Sequence, residues 1–188
     1  MHMNVLALTG SLRARSINTE LLHAAALLAP TGTRVTVSQL LADLPHFNPD
    51  LDDVGSVPPT AVAMLREAIT AADALLISCP EYAHGVAGAF KNLLDWLVSG
   101  PEMVGKVVCV LNASSHATFA PASLAETLRT MSAVVVPGAA ITVPVNGRRL
   151  RADAIAADPE LSAILLHALT AVAAAVTAPQ TSAPTPGR

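Results

Sequence analysis

Residues 4–18 read NVLALTGSLRARSIN. Val5, Leu6, Ala7 and Leu8 form an unbroken apolar run, the pattern of a strand covered on both faces. A short turn of small, polar and cationic residues follows. A helical pattern then begins at Ile17, with Leu21, Leu22, Ala25 and Leu28 on one face of residues 17–28. A buried strand running through a tight turn into a helix is the opening half of a βαβ unit. It predicts a parallel sheet with helices on both faces.

The rest of the chain continues the alternation. Residues 34–39 alternate Val with polar residues, as a strand with one covered face does, and residues 41–59 are loop-like, rich in proline and aspartate. Residues 60–72 are helical by pattern, 74–79 a second wholly apolar strand, 85–98 a helix and 107–111 a β-branched strand. A helix over 121–131 leads to a fifth strand at 133–136, extending irregularly toward 143. The last helix has a defined start: Asp158 caps it, Pro159 fits its first position and Glu160 suits its positive end. It should run to about residue 176. Residues 1–177 therefore read as one α/β domain and 178–188, rich in Pro, Thr and Ala, as a disordered tail.

Of 188 residues, 52% are hydrophobic and 13% charged, which places the chain in the globular class. A net charge of −3 gives no electrostatic basis for nucleic-acid binding. The start lacks the charged region and long apolar core of a signal peptide, and the alanine-rich stretch at 163–178 is shorter than a membrane span, so a cytoplasmic protein is expected. Cys79 and Cys109 end apolar runs and read as buried free thiols.

A doubly wound sheet binds its ligand at the carboxyl ends of the strands. Chemistry is therefore sought after Thr9, Cys79 and Leu111. After Thr9, Ser11, Ser16 and Asn18 supply hydrogen-bonding side chains, Arg13 a fork-shaped cation and the helix start unpaired amides, together a site for one monophosphate. Neither the dinucleotide fingerprint nor the triphosphatase loop is present. Taken singly, each residue also suits an ordinary role, such as Ser16 as a helix cap. After Cys79 comes PEYAHGVAGAFKNLLDW, residues 80–96, which holds the sole Tyr and the sole Trp of the chain. Its turn at 80–85 reads as a ligand contact, whereas Leu93 and Trp96 read as packing and Lys91 with Asp95 as a surface pair. The loop opening at Asn112 carries Ala113, Ser114, Ser115 and His116. Two isolated histidines make no metal site, and none is expected.

The segments GSLRARSIN and PEYAHGVAGAFKNLLDW resemble the NADPH-dependent FMN reductase family, whose members include quinone, azo-dye and chromate reductases. The family pattern is roughly G-S-x-R-x-x-S-x-N followed by P-E-Y-N-x-S-x-P-x-x-L-K-N-x-x-D-W. The resemblance implies a flavodoxin-like three-layer sandwich with a five-stranded parallel sheet in the order 2-1-3-4-5. It implies FMN as cofactor, NAD(P)H as donor, and ping-pong hydride transfer to quinones, azo compounds, flavin or similar small acceptors. Ser11, Arg13, Ser16 and Asn18, with Ile17 beside them, would hold the FMN phosphate. Pro80, Glu81 and Tyr82 would lie along the isoalloxazine edge through backbone groups, with Ala83, His84 and Gly85 closing the turn. Ala113, Ser114, Ser115 and His116 would approach the ring. No side chain is assigned a catalytic role, because the flavin carries the chemistry. A homodimer or homotetramer is implied, with the helix of Lys91, Asn92 and Asp95 near the subunit contact. The chain departs from the pattern at Ala83, Gly85 and Ala87, where the family has Asn, Ser and Pro. Two other readings stand beside this one: a flavodoxin-type electron carrier, and a relative that has lost flavin and serves as a binding module.

Overall fold

β1 (Met3–Thr9) is an interior strand of a parallel sheet, and every residue from Val5 to Leu8 is buried. It pairs with β2 (Thr33–Val37) on one side and β3 (Ala74–Ser78) on the other. β3 pairs in turn with β6 (Val107–Asn112). The structure, a computed structural model, describes residues 2–178 apart from 54, 138, 139 and 146, so the expected tail lies outside the described residues from residue 179 onward.

Side chains alternate between the two faces of the sheet. Val5, Ala7, Leu76, Cys109 and Leu111 point to one core, shared with Leu21 and Leu22 of α1 (Ile17–Leu27), Ile155 of α5 (Ala152–Ala157) and Leu161 and Leu165 of α6 (Pro159–Thr177). Leu6, Leu8, Leu75, Ile77 and Val110 point to the other. There they meet Leu65 and Ile69 of α2 (Thr60–Ala71), Phe90 and Leu93 of α3 (Gly88–Asp95), and Leu124 and Leu128 of α4 (Phe119–Thr130). Each buried Val, Leu, Ile or Phe side chain here contributes about 1.5–3 kcal/mol relative to exposure, which makes the two cores the main stabilising feature. By length and composition α6 could cross a membrane. Its apolar face instead packs into the first core through Leu161, Leu165, Ala168, Leu169 and Val172. Asp158 caps α6 as expected, its carboxylate accepting from the amides of Glu160 and Leu161.

The expected strand order holds across the first four positions, and the fifth differs. It is filled by two pieces: β7 (Val134–Val135) pairs with the start of β6, and β8 (Ile141–Thr142) pairs with its end, making six strands. The amides of Val134 and Val136 donate to Lys106 O and Val108 O, and that of Val143 to Asn112 O, so the two pieces pair with opposite ends of β6. The helix expected over 85–98 is also shorter. Gly85 and Val86 form β5, which pairs antiparallel with β4 (Glu81–Tyr82), and α3 begins only at Gly88. The helix expected from Pro121 starts two residues earlier, at Phe119. The 3-10 turns at Leu40–Asp43 and Pro49–Leu51 fall almost wholly in the stretch read as loop, and the short helix α5 in one given no assignment.

Candidate cofactor site

β1 and β3 are neighbours, yet the chain leaves β1 toward β2 on one side and reaches β3 on the other. The loops at their carboxyl ends therefore diverge and leave a crevice, the switch point of such a sheet. Gly10 opens the first loop. Its amide donates to Ser78 O at 2.8 Å, so the loop starts directly against β3. A Cβ on Gly10 would lie 2.8 Å from Cys79 Cβ and 2.9 Å from Cys79 Cα. Only glycine permits this approach.

The start of α1 is tied down from within. Ser78 Oγ donates to Asn18 Oδ1 at 2.9 Å in a buried contact, and the hydroxyls of Thr9 and Thr19 share a hydrogen bond of 2.8 Å. Ser16 occupies the N-cap position with extended backbone and is buried, but its hydroxyl makes no capping bond. The ordinary capping role is thus not used, and the first amides of α1 keep their positive potential for a ligand. Arg13 is exposed and forms no ion pair among the described residues.

An open cavity of about 380 Å³ occupies the crevice. Of the expected site residues, Ile17, Asn18, Pro80, Glu81, Ala113, Ser114 and His116 line it. Ser11, Arg13 and Ser16 stand in the adjoining loop, Tyr82, Ala83, His84 and Gly85 in the hairpin beyond Glu81, and Ser115 is exposed. Four further lining residues were not on the expected list: Cys79, Asn112, Ala117 and Gly147. Asn112 was the nearest to legible, because it ends β6. Its side chain shapes the third loop, accepting from the Ser114 amide at 3.2 Å and donating to Ala117 O at 2.8 Å. Gly147 belongs to a segment far away in sequence, with φ at +74° where other residues are strained.

The electrostatics of the wall are mild. Burial pushes the Cys79 thiol up to about 11, so at neutral pH it presents a protonated sulfur and no anion. Glu81 brings the one carboxylate in the wall, and that carboxylate is engaged: Oε2 accepts from the amides of Phe119 and Ala120 at 2.9 and 2.8 Å. No cluster of metal-ligating side chains exists among the described residues.

The remaining expectations separate cleanly. Trp96 is fully buried, its Nε1–H donating to Pro45 O at 2.9 Å, with Phe47 edge-on at 5.0 Å. Asn92 is likewise structural, donating to Pro45 O and accepting from the Phe47 amide. Lys91 pairs with Asp95 on the surface. Elsewhere on the surface, Arg148 pairs with Asp158 at 3.2 Å and Arg151 approaches Glu20 at 3.9 Å.

Residues 3–146 match the model of the family described as NADPH-dependent FMN reductase. Over 115 residues the chain is 39% identical to an NAD(P)H-dependent FMN reductase of Pseudomonas aeruginosa, and over 114 residues 34% identical to a quinone reductase of Escherichia coli. Each match covers 60% of this chain and 60% of the relative, so the likeness spans somewhat under two thirds of either protein. Among solved structures, FerB, a flavoenzyme NAD(P)H:(acceptor) oxidoreductase from Paracoccus denitrificans, superimposes with a TM-score of 0.73 at 28% identity, covering 93% of this chain and 97% of that one. The sheet, the three converging loops and the matched residues lead to one conclusion: the chain belongs to the NADPH-dependent FMN reductase family.

Proposed function

We propose that the chain binds FMN in the 380 Å³ cavity and uses NAD(P)H to reduce small acceptors of the quinone type. One observation carries this reading. The three loops after β1, β3 and β6 meet at one cavity, and the helix start beside it has amides that Ser16 leaves uncapped. A phosphate fits there because the helix dipole and the Arg13 guanidinium both favour an anion. Asn18, braced by Ser78, holds the helix start at a constant height above the sheet. Pro80 and the backbone of Glu81 form one wall for the ring, and Ala113 and Ser114 the other. Bound FMN supplies the two-electron chemistry between donor and acceptor.

The cavity is open to solvent, and no second nucleotide motif is present in the sequence. Donor and acceptor would then share one face and must alternate. The purified protein should show a flavin spectrum that NAD(P)H bleaches under nitrogen. Rates with NAD(P)H and a quinone should give parallel lines in double-reciprocal plots. Intersecting lines would speak against a shared site, and a colourless protein that gains no flavin on addition of FMN would overturn the reading.

The electron-carrier alternative is disfavoured by the exposed cation at Arg13 and a net charge of only −3. We further propose a cytoplasmic homodimer or homotetramer. With Asn92 and Trp96 engaged inside the subunit, the exposed part of α3, including Lys91, is the portion free for a contact. Light scattering on the purified chain tests this, a monomer counting against it.

A further inference from the structure

The hairpin β4–β5 has only two residues in each strand, too little to stand alone. Two contacts fasten it to the start of α4. At its base, Glu81 Oε2 accepts from the amides of Phe119 and Ala120. At its tip, the His84 ring stacks on Phe119, with centroids 4.2 Å apart and planes inclined by 14°. Thr118 holds the N-cap position of α4 but makes no side-chain capping bond. A carboxylate from 38 residues away in sequence takes over that role, at the end of the helix where the dipole favours negative charge.

This fastening joins opposite walls of the cavity. Glu81 and Pro80 line one side, while Ala113, Ser114, His116 and Ala117, the residues leading into α4, line the other. We propose that Glu81 is a positioning residue: by capping α4 it sets the gap between residues 80–82 and 113–117, the width available to a planar ring. The proposal rests on the reading that this cavity takes FMN. The carboxylate touches no reacting atom in this role. It works through two amides, and a neutral carbonyl oxygen of the same reach can replace it.

The test uses Glu81→Ala and Glu81→Gln in the full chain. In cofactor-free protein, hydrogen exchange at the amides of Phe119 and Ala120 should be about tenfold faster in Glu81→Ala, which loses the hydrogen bond each amide makes, and near the parent rate in Glu81→Gln. Titrations with FMN and with riboflavin should then show both ligands weakened by about tenfold in Glu81→Ala, by the same factor, because the gap and not the phosphate site has changed. Glu81→Gln should restore both. Faster exchange with unchanged affinities would overturn the proposal. So would a Gln variant that protects the amides yet binds as poorly as Ala, since the charge would then be what matters. If the parent chain binds neither flavin while Glu81→Ala still loosens α4, the FMN reading itself fails and the proposal falls with it, a result distinct from the other two.

Discussion

The loop after β1 and the hairpin after β3 flank the same crevice and are built on opposite plans. The first loop is held by contacts inside the crevice wall: Gly10 against Cys79, Asn18 to Ser78, Thr9 to Thr19. Its charged residue, Arg13, is left exposed. The hairpin is held from outside, by Glu81 and His84 reaching to α4. Two of its residues adopt left-handed backbone, Ala83 at φ +48° and His84 at φ +59°. The first loop thus leaves its cation exposed, and the hairpin uses its carboxylate in a contact with α4. Substitutions in the first should discriminate between ligands with and without a phosphate, and substitutions in the second should not.

The largest expected effect is at Arg13. Arg13→Ala removes a charge-assisted contact of about 1.5–3 kcal/mol, so FMN should bind one to two decades more weakly while riboflavin is nearly unaffected. Equal losses for the two ligands would erase the contrast between the loops. Gly10→Ala comes next. Its new methyl meets Cys79 backbone and side chain, an overpacking that should lower stability by about 1–3 kcal/mol in denaturant titration. An unchanged midpoint would mean that the two loops can part without cost.

The thiols sharpen the picture further. Burial raises Cys79 to about 11 and Cys109 to about 12, so both stay protonated at neutral pH. Alkylation should be slow there and accelerate as pH rises toward those values. Cys79, in the cavity wall, should react before Cys109 and be shielded by FMN, as peptide mass mapping can show. Because both values are raised on folding from 9.0, their contribution to stability is fully present below about pH 9 and lost as pH climbs through the folded values.

Smaller effects belong to the hairpin. Ala83→Asn places at φ +48° a residue that tolerates this region, where alanine pays about 1–2 kcal/mol. Thermal stability should rise by about half of that, and FMN affinity or reduction potential should shift in the same variant. The smallest effect is outside the crevice altogether: Lys91→Ala removes an exposed helix pair worth about 0.3–0.5 kcal/mol and should leave flavin binding alone.

Much of this molecule was legible from local pattern. The apolar runs at 5–8 and 74–79 are buried strands because their residues cannot face water, and they became β1 and β3 with little change of bounds. Asp158–Pro159–Glu160 marked a helix start, since capping needs only neighbouring residues. Of the loop residues singled out, Ser11, Arg13, Ser16 and Asn18, only Asn18 lines the cavity, and the others stand in the loop beside it. Where the reading erred, the deciding contact was distant. Gly85 and Val86 have helix-like neighbours, but they pair with Glu81 and Tyr82 and hang from α4, a helix more than thirty residues on. The fifth strand, expected as one run, is two short pieces because β6 offers pairing sites at both of its ends, to Val134–Val135 and to Ile141–Thr142.

By itself, then, the sequence determined the alternation of strands and helices, the position of the crevice and the family to which the chain belongs. Tertiary structure alone decided that Glu81 caps α4, that Asn18 is braced on Ser78, that Ser16 caps nothing, and that Cys79, Ala117 and Gly147 share a wall. The physical reason is one of range. Burial patterns, caps and turns are set by residues a few positions apart. A carboxylate's choice between solvent, ligand and a helix 38 residues away is settled only when folding has brought all three within hydrogen-bonding distance.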